Sequence, residues 1–490
     1  MKKAIIIGSG IAGIASAIRL KGMGYDVSVF EANSYPGGKL SEISVGSYRF
    51  DAGPSLFTLP NLVEDLISST GKSPSDYFQY DKRDVICNYF WEDGTMFSAD
   101  SNAQTFAQEA ANVFDVEASQ IEAYLKHSEK IYNLTSKVFL ESSLHKSSTY
   151  LSLETLKAIL NIFGMNISKT VDAVNRERLS DPKLVQLFNR FTTYNGSSPY
   201  QAPGIFTMIP HLEHNLGAYF PKGGMYSITQ SLYRLAKDIG VQFHFENPVK
   251  EILIKNKTAI GIRAAEEVFA DVVVSNMDIV PTYKKLMPSV KAPESTLTQE
   301  RSSSAIIFYW GIEKEFPNLD LHNIFFSDDY QEEFKAIFQE HSISNDPSIY
   351  VHISSKAKKS DAPDGCENWF VMINVPSNRG QNWEKLIADS RKSILNKLSR
   401  ILKVEIEPLI QLEELLTPEL IESKTSSYQG ALYGASSNSK FAAFLRHPNF
   451  KKKIRGLYFT GGSVHPGGGI PLCLLSAQIV ADLIPNPHYD

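Results

Sequence analysis

Two glycine-rich loops, one near each end of the chain, constrain its fold more than anything between them. The first follows Lys3 to Ile7, a short isoleucine-rich run of the kind buried on both faces of a parallel sheet. That run enters Gly8-Ser9-Gly10-Ile11-Ala12-Gly13, and Ile14 to Leu20 then has helical composition and spacing. Gly22 and Gly24 stop the helix, and Tyr25 to Phe30 reads as a second strand ending on Glu31. Each part has a physical reason. Gly8 allows a tight turn, Gly10 lets the backbone approach a pyrophosphate, and Gly13 lets helix and strand pack closely. The helix N-terminus offers amide donors and a positive dipole to phosphates. Glu31 accepts from ribose hydroxyls and repels a 2′-phosphate. The unit predicts a Rossmann-like α/β fold that binds a dinucleotide, FAD or NAD.

The residues that follow favour FAD. Asn33 to Lys39 places Gly37, Gly38 and the cation Lys39 just beyond the ribose acid, a second phosphate-facing loop that suits an extended FAD. Asp51 to Phe57, with Gly53, Ser55 and Leu56, is another compact turn, bounded by the alternation in Ser47 to Phe50. Taken alone, either loop also reads as a surface turn. Near the other terminus, the strand pattern Gly456 to Thr460 runs into Gly461 to Pro471, and a helix follows with Leu474, Ala477, Ala481 and Ile484 on one face. So much glycine costs backbone entropy. Close approach of the Gly462, Ser463, Gly469 and Ile470 backbone to a flat ring or a ribityl-phosphate chain would account for it. His465, inside this loop, reads equally as structural or catalytic.

Composition excludes other classes. The 49 basic and 54 acidic residues leave a net charge of −5, against the concentrated basic surface that nucleic-acid binding needs. Cys87, Cys366 and Cys473 are far apart and lack metal spacing, so no metal site is expected and the three read as free thiols in a reducing compartment. No run reaches the ~18 uninterrupted apolar residues of a spanning helix. The opening apolar run passes into the glycine pattern without a cleavage site, unlike a signal peptide.

A mid-chain block adds a more specific signal: Ser198-Pro199-Tyr200-Gln201-Ala202-Pro203-Gly204, then His211 and Glu213, then Gly217-Ala218-Tyr219-Phe220-Pro221-Lys222-Gly223-Gly224-Met225. With the opening unit, Gly37-Gly38-Lys39, the Asp51 turn and the closing loop, this block resembles the bacterial carotenoid (phytoene-type) desaturases of the amine-oxidase-like flavoprotein superfamily. The resemblance spans nearly the whole chain, most weakly around 75–175 and 310–425. The chain departs from the pattern at Gly461-Gly462-Ser463-Val464-His465, where many relatives have Gly-Ala-Gly-Thr-His, and at Lys39, where arginine is common. These departures leave open which member it is.

The resemblance implies an amine-oxidase/phytoene-desaturase-like architecture. A discontinuous FAD domain would take residues 1–75, 222–285 and 440–490, and a mixed-sheet substrate domain 76–102 and 286–439. A helical, membrane-associated subdomain would take 103–221. Val249 would contact adenine through its backbone, with Asn276 and Met277 near the cofactor. The block from Ser198 to Met225 looks most like desaturases of hydroxylated acyclic carotenoids acting at the 3,4 position, by hydride transfer to flavin and proton loss. A redox-neutral carotenoid isomerase and an amine or porphyrinogen oxidase are the alternatives. No second GxGxxG stands in a strand context, so the electrons are expected to leave to oxygen, a quinone or another carrier.

His211 and Glu213 are the leading polar candidates for catalysis, because the resemblance places the flanking blocks near substrate and flavin. Glu213 reads equally as a structural carboxylate paired with Arg190. The apolar set from Leu151 to Ile167 reads either as a core helix or as an interfacial helix through which a lipid-soluble substrate enters. A carotenoid substrate implies a cytoplasmic protein bound peripherally to the inner face of the cell membrane.

Overall fold

A computed structural model describes residues 1–146, 149, 162–439 and 445–487. Lys3–Ile7 is the central strand of a parallel sheet, flanked on one side by Asp26–Phe30 and Gln242–His244 and on the other by Val272–Ser275 and Leu457–Phe459. Its two faces bury alternate residues. Ala4 and Ile6 pack with Ile14 and Ile18 of the helix Ile11–Gly22 and with Leu474 and Ala477 of the helix Ile470–Leu483. Ile5 and Ile7 pack with Ile252, Ile262 and Phe459 on the opposite face. This two-sided burial is why the run is continuously apolar; each isoleucine contributes about 1.5–3 kcal/mol. The sheet is Rossmann-like, and it is built from both ends of the chain.

One expected strand divides. Val268 to Ser275 reads as continuous in the sequence, but Glu267–Phe269 pairs antiparallel with Thr258–Arg263, whereas Val272–Ser275 joins the central sheet. The chain changes sheets at Ala270 and Asp271. Ala270 N–H donates to the Ile260 carbonyl (3.0 Å), and Asp271 N–H donates to that of Lys3 (2.9 Å).

A second, mixed sheet runs in the order Ile410–Leu416, Ser304–Ile312, Glu367–Val375, Ile349–Ile353, His322–Phe325, Val85–Phe90, Met96–Asp100. Only the pairing of His322–Phe325 with Val85–Phe90 is parallel. The period of two sorts the strand Ser304–Ile312. Ile306, Phe308 and Trp310 pack with Ile394 and Leu398 of the helix Trp383–Leu402, while Ile307 and Tyr309 pack with Tyr48 and Phe50. The helices Ala103–Phe114, Ala118–Phe139 and Pro182–Asn189 bring their apolar faces into one cluster with Ile86, Tyr89 and Phe326 of the mixed-sheet region. Of the apolar set from Leu151 to Ile167, only the end is described. Met165 is buried and Ile167 half-buried, while the expected helix itself lies outside the described residues.

Candidate active site

The glycines of the two terminal loops meet over one side chain, Asn276, at the end of Val272–Ser275. Its Nδ2 lies 3.5 Å from the Gly8 carbonyl, and a Cβ at Gly10 would come within 2.7 Å of that atom. From the other terminus, a Cβ at Gly461 would lie 2.6 Å from its Oδ1. Gly8 has φ +91°, the left-handed region the turn requires. A Cβ at Gly13 would lie 2.1 Å from the Gly8 carbonyl oxygen, so only glycine lets this helix sit on its strand. At Gly53 the same addition would meet the Lys39 carbonyl at 1.8 Å, which fixes the Asp51 turn against the Gly37-Gly38-Lys39 loop.

These loops open onto a cavity of about 1250 Å³. Of the expected cofactor residues, Gly8, Gly10, Glu31, Gly38, Lys39, Gly53, Ser55, Leu56, Val249, Asn276, Gly462, Ser463, Gly469 and Ile470 all line it. Gly13 does not, consistent with packing as its task. Glu31 ends its strand at the cavity wall. Its Oε2 accepts from Ser9 N–H (2.7 Å) and Ser9 Oγ (2.8 Å), and its Oε1 from Asn33 N–H (2.9 Å) and Nδ2 (3.1 Å). The carboxylate's four acceptor positions are thus filled, and ribose hydroxyls would reach it by displacing the two side-chain donors. Lys39 Nζ donates to the Leu432 carbonyl (2.7 Å) and Ser427 Oγ (3.1 Å). Burial lowers its pKa, against the attraction of Asp278.

Arg446, which no local sequence signal marks, is a second cation on this wall, and it is buried. Its Nη1 donates to the Tyr433 (2.7 Å) and Gly462 (3.3 Å) carbonyls. Among the described residues it has no ion pair, and burial, then repulsion by Arg301, lowers its pKa to about 10. A cavity with a buried and a half-buried cation, two helix N-termini and a carboxylate at a strand end fits a dinucleotide whose pyrophosphate and flavin carry the anionic and electron-accepting parts. The site therefore suits FAD. His465 also lines it, with Nε2 held 2.8 Å from the Ser142 carbonyl and its pKa lowered to about 4 by burial.

Away from these loops the walls become apolar. The mixed sheet contributes Ile307, Ile324 and Met372, and the helical region contributes Phe139, Met208 and Leu212. A polar cluster around Glu213 interrupts them. Glu213 is fully buried; its Oε1 accepts from Tyr194 Oη and its Oε2 from Arg190 Nη2 (3.1 Å). Arg190 also donates to Tyr89 Oη (2.5 and 2.9 Å) and Tyr194 Oη (2.7 Å). Burial pushes both phenols well above their ordinary values, so they stay protonated donors. Glu213, Arg190 and Tyr194 line the cavity. The pairing with Arg190 is the structural alternative the sequence left open, and it holds the carboxylate at the cavity wall.

The structure does not bring His211 to the cavity with Glu213. Its ring lies outside the cavity lining, packs 4.8 Å from Tyr132, and holds Nδ1 2.6 Å from Asn215 Nδ2. Its position one helical turn from Asn215 directs it into the helical region, where burial lowers its pKa.

The chain belongs to the family of flavin containing amine oxidoreductases, whose pattern it matches over residues 11–485. FAD is accordingly its cofactor, and it is an oxidoreductase. It is 58% identical over 489 residues, covering all of both chains, to a 1-hydroxycarotenoid 3,4-desaturase of Flavobacterium sp. (strain P99-3). It is 32% identical over 494 residues, 99% of this chain and 98% of the other, to a 4,4'-diapolycopene oxygenase of Methylomonas sp. The fold is shared with wild-type putrescine oxidase bound to putrescine, at a TM-score of 0.64 and 13% identity over 98% of each chain.

Proposed function

We propose that this chain is an FAD-dependent carotenoid desaturase that forms a C=C bond at the 3,4 position of an acyclic, 1-hydroxylated carotenoid. The observation that carries this reading is the full-length 58% identity to the Flavobacterium 1-hydroxycarotenoid 3,4-desaturase. The apolar walls support it, because a long hydrocarbon can be held only by shape and exclusion of water.

Making the double bond removes two hydrogens from adjacent carbons. An allylic C–H is far too weak an acid for a side chain to deprotonate first, so the hydride leaves before the proton. Bound FAD supplies the acceptor for that hydride. The protein's part is to hold the chain in register, keep water from the substrate cation, and take the neighbouring proton. The cation acidifies that C–H, so a weak base suffices. In this reading Glu213 takes the proton: its carboxylate is buried at the cavity wall and held there by Tyr194 and Arg190. Oxygen or a quinone takes the electrons onward in this reading.

A carotenoid does not travel usefully through water, so the protein is read as a peripheral one that collects its substrate at the inner, cytoplasmic face of the cell membrane. Among the described residues no helix is long and apolar enough to cross a membrane.

Co-expression in a host making acyclic carotenoids with and without a 1-hydroxyl group tests the function. Pigment lighter by two hydrogens is expected, with absorption moved to longer wavelength. A rearranged product of unchanged mass would instead mean an isomerase.

A further inference from the structure

Between Glu422 and Asp482 the chain carries no acidic residue, although 54 acids are spread over its 490 positions and its net charge is −5. The same stretch holds the run Lys451-Lys452-Lys453, none of which is among the cavity lining. A turn displays these cations. Phe450 pairs with Tyr458, Ile454 is buried, and Ile454 N–H donates to the Lys451 carbonyl (2.9 Å). Lys452 and Lys453, between those anchors, are exposed, while the half-buried Lys451 holds Nζ 4.9 Å from the centre of the Tyr283 ring.

This turn stands beside the apolar end of the cavity. Phe139, Leu140 and Leu144 line that end, and so does the exposed Glu141, where the cavity wall reaches the surface. The segment is tied to the chain on either side of the turn: His145 Nε2 lies 2.9 Å from the Arg446 carbonyl, and His465 Nε2 lies 2.8 Å from the Ser142 carbonyl. Burial lowers the His145 pKa, and the nearby charge of Lys452 lowers it further. Lys137, whose carbonyl accepts from Ser142 Oγ (2.8 Å), and Lys146 are exposed on this segment too. Leu445, directly before Arg446, is 47% exposed.

Two carboxylates oppose these lysines. Glu141 stands at the cavity wall, and burial raises the Asp482 pKa against the pull of Arg19 and Lys146. The five lysines outnumber them, so the rim is positive in a chain that is negative as a whole. Clustered lysines with an exposed leucine among them suit the headgroup layer of an anionic bilayer, the cations meeting phosphates and the apolar side chain the acyl boundary. Position decides between a bilayer and a soluble acidic partner, because a lipid-soluble substrate must pass from the one to the apolar end of the cavity.

We propose that the rim formed by Lys137, Lys146, Lys451, Lys452 and Lys453 docks on anionic phospholipid and holds the apolar end of the cavity against the bilayer. The choice of partner rests on the desaturase reading above.

The test measures partition of the purified holoprotein by vesicle flotation, on phosphatidylcholine alone and with about one-third phosphatidylglycerol. The unsubstituted protein is expected to bind the anionic vesicles at least about 100-fold more tightly, and to lose most of that excess at about 0.5 M salt. Replacing Lys451, Lys452 and Lys453 together by Gln lowers the anionic partition by about 30- to 100-fold and leaves the neutral one nearly unchanged. Replacing Lys314, Lys385 and Lys392, exposed in the mixed-sheet region, removes the same charge from the chain and lowers it by less than about threefold. Flavin absorbance and thermal midpoint establish that each variant is folded; if the first triple variant is not, Lys452→Gln with Lys453→Gln decides. With the carotenoid supplied in detergent micelles, both triple variants desaturate at the unsubstituted rate. Equal binding to the two kinds of vesicle, an equal loss in the two triple variants, or a lowered micellar rate in the first alone would overturn the proposal. No product from the unsubstituted protein in micelles would remove the desaturase reading itself, and flotation judges the rim separately.

Discussion

Glu213 carries two demands at once, and they are separable. As the partner of Arg190 it neutralises a fully buried guanidinium. Glu213→Ala strands that charge, and a loss of about 3–5 kcal/mol is expected in urea unfolding of the holoprotein. Replacing Arg190 and Glu213 together by Leu removes both charges, and stability should return most of the way. As a weak base it faces the cavity, and Glu213→Gln keeps an acceptor for Tyr194 while removing the basic oxygen. Turnover is expected to fall by about 100-fold with FAD still bound in full. If kcat falls only as far as the folded fraction does, the carboxylate is structural and takes no proton. Neither role was decidable from the sequence, because Arg190 and Tyr194 reach Glu213 from the separate segment Arg190–Asn195, and Tyr89, which holds Arg190, comes from a strand of the mixed sheet.

At the scale of elements, the strand–loop–helix units were the legible part. Gly8, Gly13 and Glu31 act through their own local backbone, so fixed offsets along the chain report them. Gly13→Ala puts a methyl 2.1 Å from the Gly8 carbonyl, and the helix must lift from its strand. FAD affinity is expected to fall by at least about tenfold in reconstitution titrations, with little change in the mixed sheet. Full retention of FAD would mean that the close packing of this helix is dispensable. The substrate side was much less legible. His322 and Tyr350 meet across a strand pair in which Tyr350 stands opposite Ile324, and no run of residues announces that register. Arg446 is likewise an isolated cation whose burial depends on the closing loop folding over it. His211 shows the converse: it is close to Glu213 along the chain and shares the short helix Pro210–His214, yet only Glu213 of the two is among the cavity lining. The strand expected over Val268 to Ser275 failed because an apolar run does not show where a chain passes from one sheet to another.

For the whole molecule, the first and last strands sit in one sheet with Val272–Ser275 between them, and the cavity spans that sheet, the mixed sheet and the helices. Cofactor and substrate functions are therefore coupled through the complete chain. Lipid delivery belongs to this scale as well. The holoprotein is expected to float with liposomes, and Leu156→Glu and Phe163→Glu to reduce flotation. Unchanged flotation in both would discard that segment as the point of entry. Whether terminal loops and apolar cavity form one two-electron desaturation site is decided by a single turnover without oxygen. Purified holoprotein is mixed with one equivalent of 1-hydroxylated acyclic carotenoid, and flavin absorbance and product mass are read together. Loss of the oxidised flavin band in step with a product lighter by two hydrogens is predicted; an unbleached flavin, or a product of unchanged mass, would contradict it.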